Sequence, residues 1–413
     1  MKYINFSNKP IVIPQKNFTF VVFKLFFPIK NDITKGSYVI ILNNIINRCN
    51  EEIHQQDIFE KELARKGVLS LKLEGIVKGN NAYLLYSFSI PKENIIKDYQ
   101  FNTTFQFVMN NLFHPYLDNG VFNSSIFKEE QDYFIDCLTQ RYQNIYYQND
   151  DQLYKIIDPK EERWLTYQTK IDLLKKASPQ ELTKLYQDYI INNHFYPIVY
   201  GDITSQQVNN LFASYMPFKK QRILKQNYQF SPLLNYEDIN FPTNNNQTEV
   251  NAILQVPNLT EKETDYLRAL YFFLYSRENN LLKKKLRFEL KLVYKCDTYY
   301  YSDKGIIVLT AYTQLNDQVK VIQGMKDVIK ELQDIKTVSI CLKRLVTALK
   351  MDALSAADDP YHKLNQAMEK IMADDSTEKM IRLYNKISPH LLTNFAKRLQ
   401  ITKIVCFRGE KND

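Results

Sequence analysis

The sequence predicts an α+β fold built twice, from three observations. The order strand, helical segment, hairpin occurs in both halves. A Ser-Pro helix start followed by a strand closes each half: ASPQELTKLYQDYI then FYPIVYGD in the first, ISPHLLTNFAKRL then TKIVCFRG in the second. A repeat at half the chain length implies duplicated α+β domains. Between them Gln226–Gln247 is polar and marked by Pro and Asn, so it reads as a linker between domains at 1–225 and 248–413.

The first half opens with an apolar strand, Phe18–Phe27, then helical segments at Ser37–Asn50 and Ile53–Arg65. A hairpin follows, Val68–Val77 and Tyr83–Ile90 around Lys-Gly-Asn-Asn. Helices are expected at Thr103–Leu112 and Ser124–Gln143. At Ser178-Pro179-Gln180-Glu181 the serine caps, proline fits the first turn and the acid complements the helix dipole. That helix should run to Asn192 and lead into the strand Phe195–Tyr200. The second half replays the order: strand Glu249–Gln255, helix Glu261–Lys285, a hairpin, and helices at Asp317–Leu332, Val338–Ala353 and His362–Met372. A capped helix at Ser388-Pro389 and the strand Thr402–Phe407 close it.

Composition excludes several function classes. At 413 residues, 45% hydrophobic and 24% charged, the chain suits two globular domains. No apolar run approaches the roughly 18–20 residues of a membrane helix. The N-terminus lacks the order of a signal peptide, so a cytoplasmic location is expected. The net charge of +8 is spread by interleaved acids, and the short cluster Lys283-Lys284-Lys285 with Arg287 argues against nucleic-acid binding. Nine dispersed glycines exclude phosphate-cradling and dinucleotide loops, and five scattered cysteines predict reduced thiols.

The stretch Leu281–Gln314, LLKKKLRFELKLVYKCDTYYYSDKGIIVLTAYTQ, reads as a helix end, a strand, a Ser-Asp-Lys-Gly turn and a second strand. Arg287 and Tyr294 lie seven residues apart across the junction. A guanidinium fork and a phenol hydroxyl placed there can both donate to one extended peptide carbonyl. The other reading is a half-buried hairpin whose tyrosines only pack.

On these residues the chain resembles the M16 metallopeptidases: insulinase, pitrilysin and the mitochondrial processing peptidase. The Arg287–Tyr294 spacing and the Asp303-Lys304-Gly305 turn carry the resemblance, supported by the Ser-Pro helix starts and the Gly-Asp after Tyr200. It implies two tandem homologous α/β-sandwich domains, each a mostly antiparallel sheet packed with helices. It also implies an HxxEH zinc motif on the first-half helix, within Ser37–Asn50, with a distal Glu near Glu130. Yet Ser37–Asn50 holds no His, Asp or Glu, and the histidines at 54, 114, 194, 362 and 390 are too dispersed to replace it. Neither zinc nor another cofactor is therefore expected in this chain, and Glu130 reads as a helix-surface acid.

The resemblance then implies the zinc-less partner of an HxxEH-bearing subunit that holds the zinc. Arg287 and Tyr294 would be its catalytic residues, stabilising the carbonyl of an unfolded peptide substrate. Bacterial pairs of this family extend the substrate expectation to ribosomally made, bacteriocin-type peptides. A purely structural or peptide-binding member is the competing reading, and an unrelated nucleic-acid scaffold is a third.

Overall fold

The computed structural model describes residues 3–5, 9–78, 81–93, 95, 99–161, 164–215, 222–224, 230–276, 279–359, 361–372 and 377–409. The chain forms two compact units, Met1–Gln226 with Pro360–Asp374, and Asn227–Asp359 with Asp375–Asp413.

The first unit holds strands β1 (Ile11–Pro14), β2 (Phe20–Ile29), β3 (Ser70–Lys78), β4 (Asn81–Pro91) and β5 (Tyr196–Gly201). They line up as β1-β5-β2-β4-β3, with β1 and β5 parallel and every other pair antiparallel. The second unit holds β6 (Glu237–Thr243), β7 (Thr248–Gln255), β8 (Val293–Tyr301), β9 (Ile306–Thr313) and β10 (Gln400–Gly409). Its order, β6-β10-β7-β9-β8, repeats the first with the same single parallel pair. The duplicated, mostly antiparallel α+β architecture expected from the sequence is thus present.

Each sheet is held by the apolar face it buries. In β2, Phe23, Leu25 and Phe27 pack with Phe88 against Ile41, Leu42 and Ile45 of α1 (Gly36–Ile46) and Phe105 of α3 (Phe101–Phe113), beyond α2 (Gln56–Arg65). Phe23 and Phe88 stack with centroids 4.7 Å apart. Each such burial stabilises by roughly 1.5–3 kcal/mol relative to exposure. The same helical side carries α4 (Ser124–Tyr142) and α5 (Pro179–Tyr186). The Ser178 capping box opens α5 as the sequence predicts, and the helix continues as a π-turn over Gln187–Ile191.

In the second unit, Val250, Leu254, Leu309 and Ala311 pack on α6 (Thr264–Tyr275), α8 (Gln318–Glu331), α9 (Ile335–Asp358) and α11 (Pro389–Ala396). A short helix, α7 (Leu281–Lys283), precedes β8, and α10 (His362–Met372) follows α9.

Three local departures from the sequence reading have physical causes. The helix expected over Glu261–Lys285 is broken after Tyr275, where Ser276 turns extended with ψ 152°; it restarts at Asn280, which has a φ of 26° and accepts from Lys283 N through its side chain. Within 226–247, read as a linker, residues 237–243 form β6, paired in parallel with β10. Helix α10, from the second half of the sequence, buries Leu364 and Ala367 against Val22, Phe26 and Tyr83 on the other face of the first sheet.

Candidate functional site

The junction from α7 into β8 is irregular on both sides of one residue. After α7 the backbone widens into a π-turn, Lys284–Glu289, with Leu290 N donating to Lys285 O at 2.9 Å. Leu292 N then reaches back to Leu286 O, also at 2.9 Å. Lys291 turns the chain at φ 56°, in the left-handed region that L-residues other than Gly seldom enter. Leu286 anchors the turn with no exposed surface. It is admitted by Gly324 of α8, where a Cβ would stand 2.5 Å from Leu286 Cδ2 and 3.0 Å from Leu290 Cδ1.

The second irregularity lies in β8, the outer strand of its sheet. Val293 pairs with Thr313 and Lys295 with Tyr312, so Tyr294 is the extra residue of a β-bulge. A bulge re-aims a side chain: Val293 is buried, whereas Tyr294 is 77% exposed. Thr313 Oγ1 donates to Leu292 O at 2.7 Å and fixes the chain just before the bulge. The outcome is a close pair, with Arg287 Cζ 5.7 Å from the centroid of the Tyr294 ring. Phe288, also exposed, lies with its ring 5.9 Å from the same guanidinium. A cation–π contact helps to order the guanidinium without consuming its N–H donors. Arg287 and Tyr294 can thus offer several donors to one carbonyl oxygen.

The cations of this turn divide into two groups. Lys284 and Lys285 pair with Glu289 at 3.5 and 3.2 Å, and Lys285 also reaches Glu331 at 3.2 Å. The hydrogen bond from Lys285 holds the Glu289 carboxyl below its ordinary range. Arg287 has no such partner among the described residues. Burial raises the neighbouring Cys296 thiol to about 11, Asp297 adds to the rise, and Lys283 and Arg287 oppose it.

The first-unit helix α1 shows what stands where the zinc motif was sought. Asn44 and Arg48 are four residues apart and meet one carboxylate, Glu130 of α4. Asn44 Nδ2 donates to Oε2 at 2.9 Å and Arg48 Nη1 to Oε1 at 3.2 Å. Asn47 lies between them and donates to Asn43 Oδ1 at 2.9 Å. Positions 44, 47 and 48 have the spacing of an HxxEH segment. These side chains do not fit a zinc ion, because an amide and a guanidinium already donate to the carboxylate and no imidazole is present. Glu130 is not the surface acid expected from sequence: its side chain is 16% exposed and held by an internal cation. Among the described residues, no group of three or more His, Cys, Asp or Glu could hold a metal ion.

The histidines serve elsewhere. His54 precedes α2 rather than lying within it, and stacks on Tyr116 with centroids 3.9 Å apart. His114 Nδ1 lies 3.7 Å from Glu51, and His362 bonds Gln366. The structure brings together Arg287 and Tyr294, the pair singled out by spacing in the sequence. Sequence reasoning missed the left-handed Lys291, the π-turn, Phe288 and the Asn44–Arg48–Glu130 cluster. For the cluster, the four-residue spacing of Asn44 and Arg48 was the available signal.

Comparison with known proteins agrees with this architecture. Residues 176–338 match the family described as Peptidase M16 inactive domain. A conserved protein from Enterococcus faecalis V583 shares the fold at TM-score 0.82 and 17% identity, covering 100% of both chains. A protease from Helicobacter pylori follows at 0.71 and 13% identity, covering 98% of this chain and 99% of its own. A peptidase M16 inactive domain from Pseudomonas fluorescens gives 0.71 and 11% identity, with 100% and 98% covered. The search of curated proteins gives no match. Residues 176–338 thus resemble the inactive-type M16 domain, and the chain shares the fold of these structures over nearly its full length. No described helix is long and apolar enough to cross a membrane.

Proposed function

We propose that this chain is the zinc-less subunit of a heterodimeric M16-type metallopeptidase acting on an unfolded peptide. In this reading the partner subunit carries HxxEH and the zinc. This chain contributes Arg287 and Tyr294, which donate to the carbonyl oxygen of the scissile bond as it gains charge. One observation carries the proposal: an exposed guanidinium–phenol pair, 5.7 Å apart, stands on a junction with a π-turn on one side and a β-bulge on the other. Irregularities of both kinds recur at functional sites. The Asn44–Arg48–Glu130 cluster supports the zinc-less half of the reading.

A ribosomally made, bacteriocin-type peptide awaiting maturation in the cytoplasm is the substrate this reading extends to. The match to a family named for an inactive domain favours a second reading, a peptide-binding protein that takes no part in hydrolysis. Co-purification from the native host separates the two. The first expects an HxxEH subunit of similar length, identified by mass, with zinc in that subunit alone. Stoichiometric zinc in this chain, or the absence of any such partner, contradicts it.

A further inference from the structure

The cations around Arg287 are unevenly neutralised. Glu289 is taken by Lys284 and Lys285. Lys283 and Arg287 stand one helical turn apart, and no described carboxylate lies within ion-pairing distance of either. The exposed Phe288 ring holds both, with the Lys283 ammonium at 6.0 Å and the Arg287 guanidinium at 5.9 Å from its centroid. Like charges at this spacing destabilise a helical turn, and an anion shared between them would reverse the sign. Both charges act on half-buried Cys296 of β8. Tyr294 marks the point where a carbonyl would dock.

We propose that Lys283 and Arg287 form a subsite for a carboxylate of the bound peptide, next to the carbonyl held by Arg287 and Tyr294. This rests on the peptide-binding reading above and adds a substrate class to it: peptides with an acidic group beside the bound bond. Phe288 would cover the apolar part of that residue. The carboxylate can come from an Asp or Glu side chain or from the peptide's C-terminus, and the two sources separate experimentally.

The test uses direct binding to the full chain without a partner, so it does not depend on catalysis. Fluorescein-labelled, unstructured peptides of Ser, Thr and Ala carry a single central Glu or Gln, each with an amidated C-terminus. A third peptide has the central Gln and a free C-terminal carboxylate. The side-chain source predicts that the Glu peptide binds about three- to tenfold tighter than the Gln amide at low salt. That preference should fade at high salt. It should disappear in Lys283→Gln and persist in Lys284→Gln, whose lysine already faces Glu289. The terminal source predicts the same gain and the same loss for the free-acid peptide instead. Equal affinity of all three peptides, or no measurable binding of any, overturns the subsite. A peptide preference that fails here while a co-purified complex still cleaves would sink the subsite and leave the peptidase reading standing.

Discussion

The two units make the same turn from helix to outer strand, once regularly and once not. In the first, Gly67 follows the Lys66 cap of α2 with φ 67°, and β3 comes next without a register shift against β4. In the second, Lys291 occupies the corresponding place with φ 56°. By sequence offset alone, Leu63 and Ser70 lie as far from Gly67 as Arg287 and Tyr294 lie from Lys291. Val68 N closes on Leu63 O in the first turn, whereas Leu292 N closes on Leu286 O, one residue further back. The π-turn is that additional residue, and the bulge at Tyr294 is a second one. Without them the junction is a plain helix end; with them it presents a guanidinium and a phenol side by side. A duplicated fold thus isolates a local specialisation, since packing alone needs neither insertion.

Removing the anchor of the irregular turn should have the largest effect on stability. Leu286→Ala empties a fully buried site and should cost about 2–5 kcal/mol, read as a drop in the urea midpoint. Next comes the cluster at the C-terminal end of α1. Arg48→Met leaves Glu130 without its cation and should cost about 1–3 kcal/mol by the same measurement. A change within error would mean that Glu130 is as well served by water and Asn44.

The turn residues give a smaller, reciprocal contrast. Gly67→Lys should destabilise by about 1 kcal/mol, because an L-residue with a Cβ resists the left-handed conformation. Lys291→Gly should be neutral or stabilise by up to about 1 kcal/mol, while Lys291→Val should cost more than either. If both Gly substitutions behave alike, the two turns are not equivalent.

The smallest effect is in pH dependence. Hydrogen bonding from Arg65 lowers the Glu62 carboxyl from its ordinary 4.5 to about 2. A carboxyl depressed on folding adds stability above its unfolded value and loses it as pH falls through the folded one. The urea midpoint should therefore fall between about pH 4.5 and about 2, and less steeply in Glu62→Gln. Glu289 is lowered in the same direction, but its side chain is 42% exposed, so salt should weaken its share.

Much of the fold was legible in the sequence, because strand and helix periodicities and the Ser-Pro starts are local signals. The fine structure of the site was not. Asn280 adopts positive φ inside Glu261–Lys285, a run that reads as continuous helix; Lys291 adopts it beyond that run, and lysine carries no signal for that conformation. The bulge depends on how β8 meets β9, which no residue of β8 states alone. The Arg48–Glu130 pair spans 82 residues. Helix α10 joins the first unit through an apolar face that would have served a second-unit core as well.

The central claim is that the irregular junction is half of a catalytic site. Its most direct test is peptide turnover by this chain reconstituted with the HxxEH subunit proposed above. Tyr294→Phe removes one oxygen and keeps the ring, while Arg287→Lys keeps the charge and loses the fork. Loss of one oxyanion donor typically costs ~10²–10³ in kcat, roughly 3–4 kcal/mol. Each variant should lower kcat at least about tenfold while heterodimer formation is unchanged. Wild-type rates in both variants would contradict the account and make this chain a scaffold.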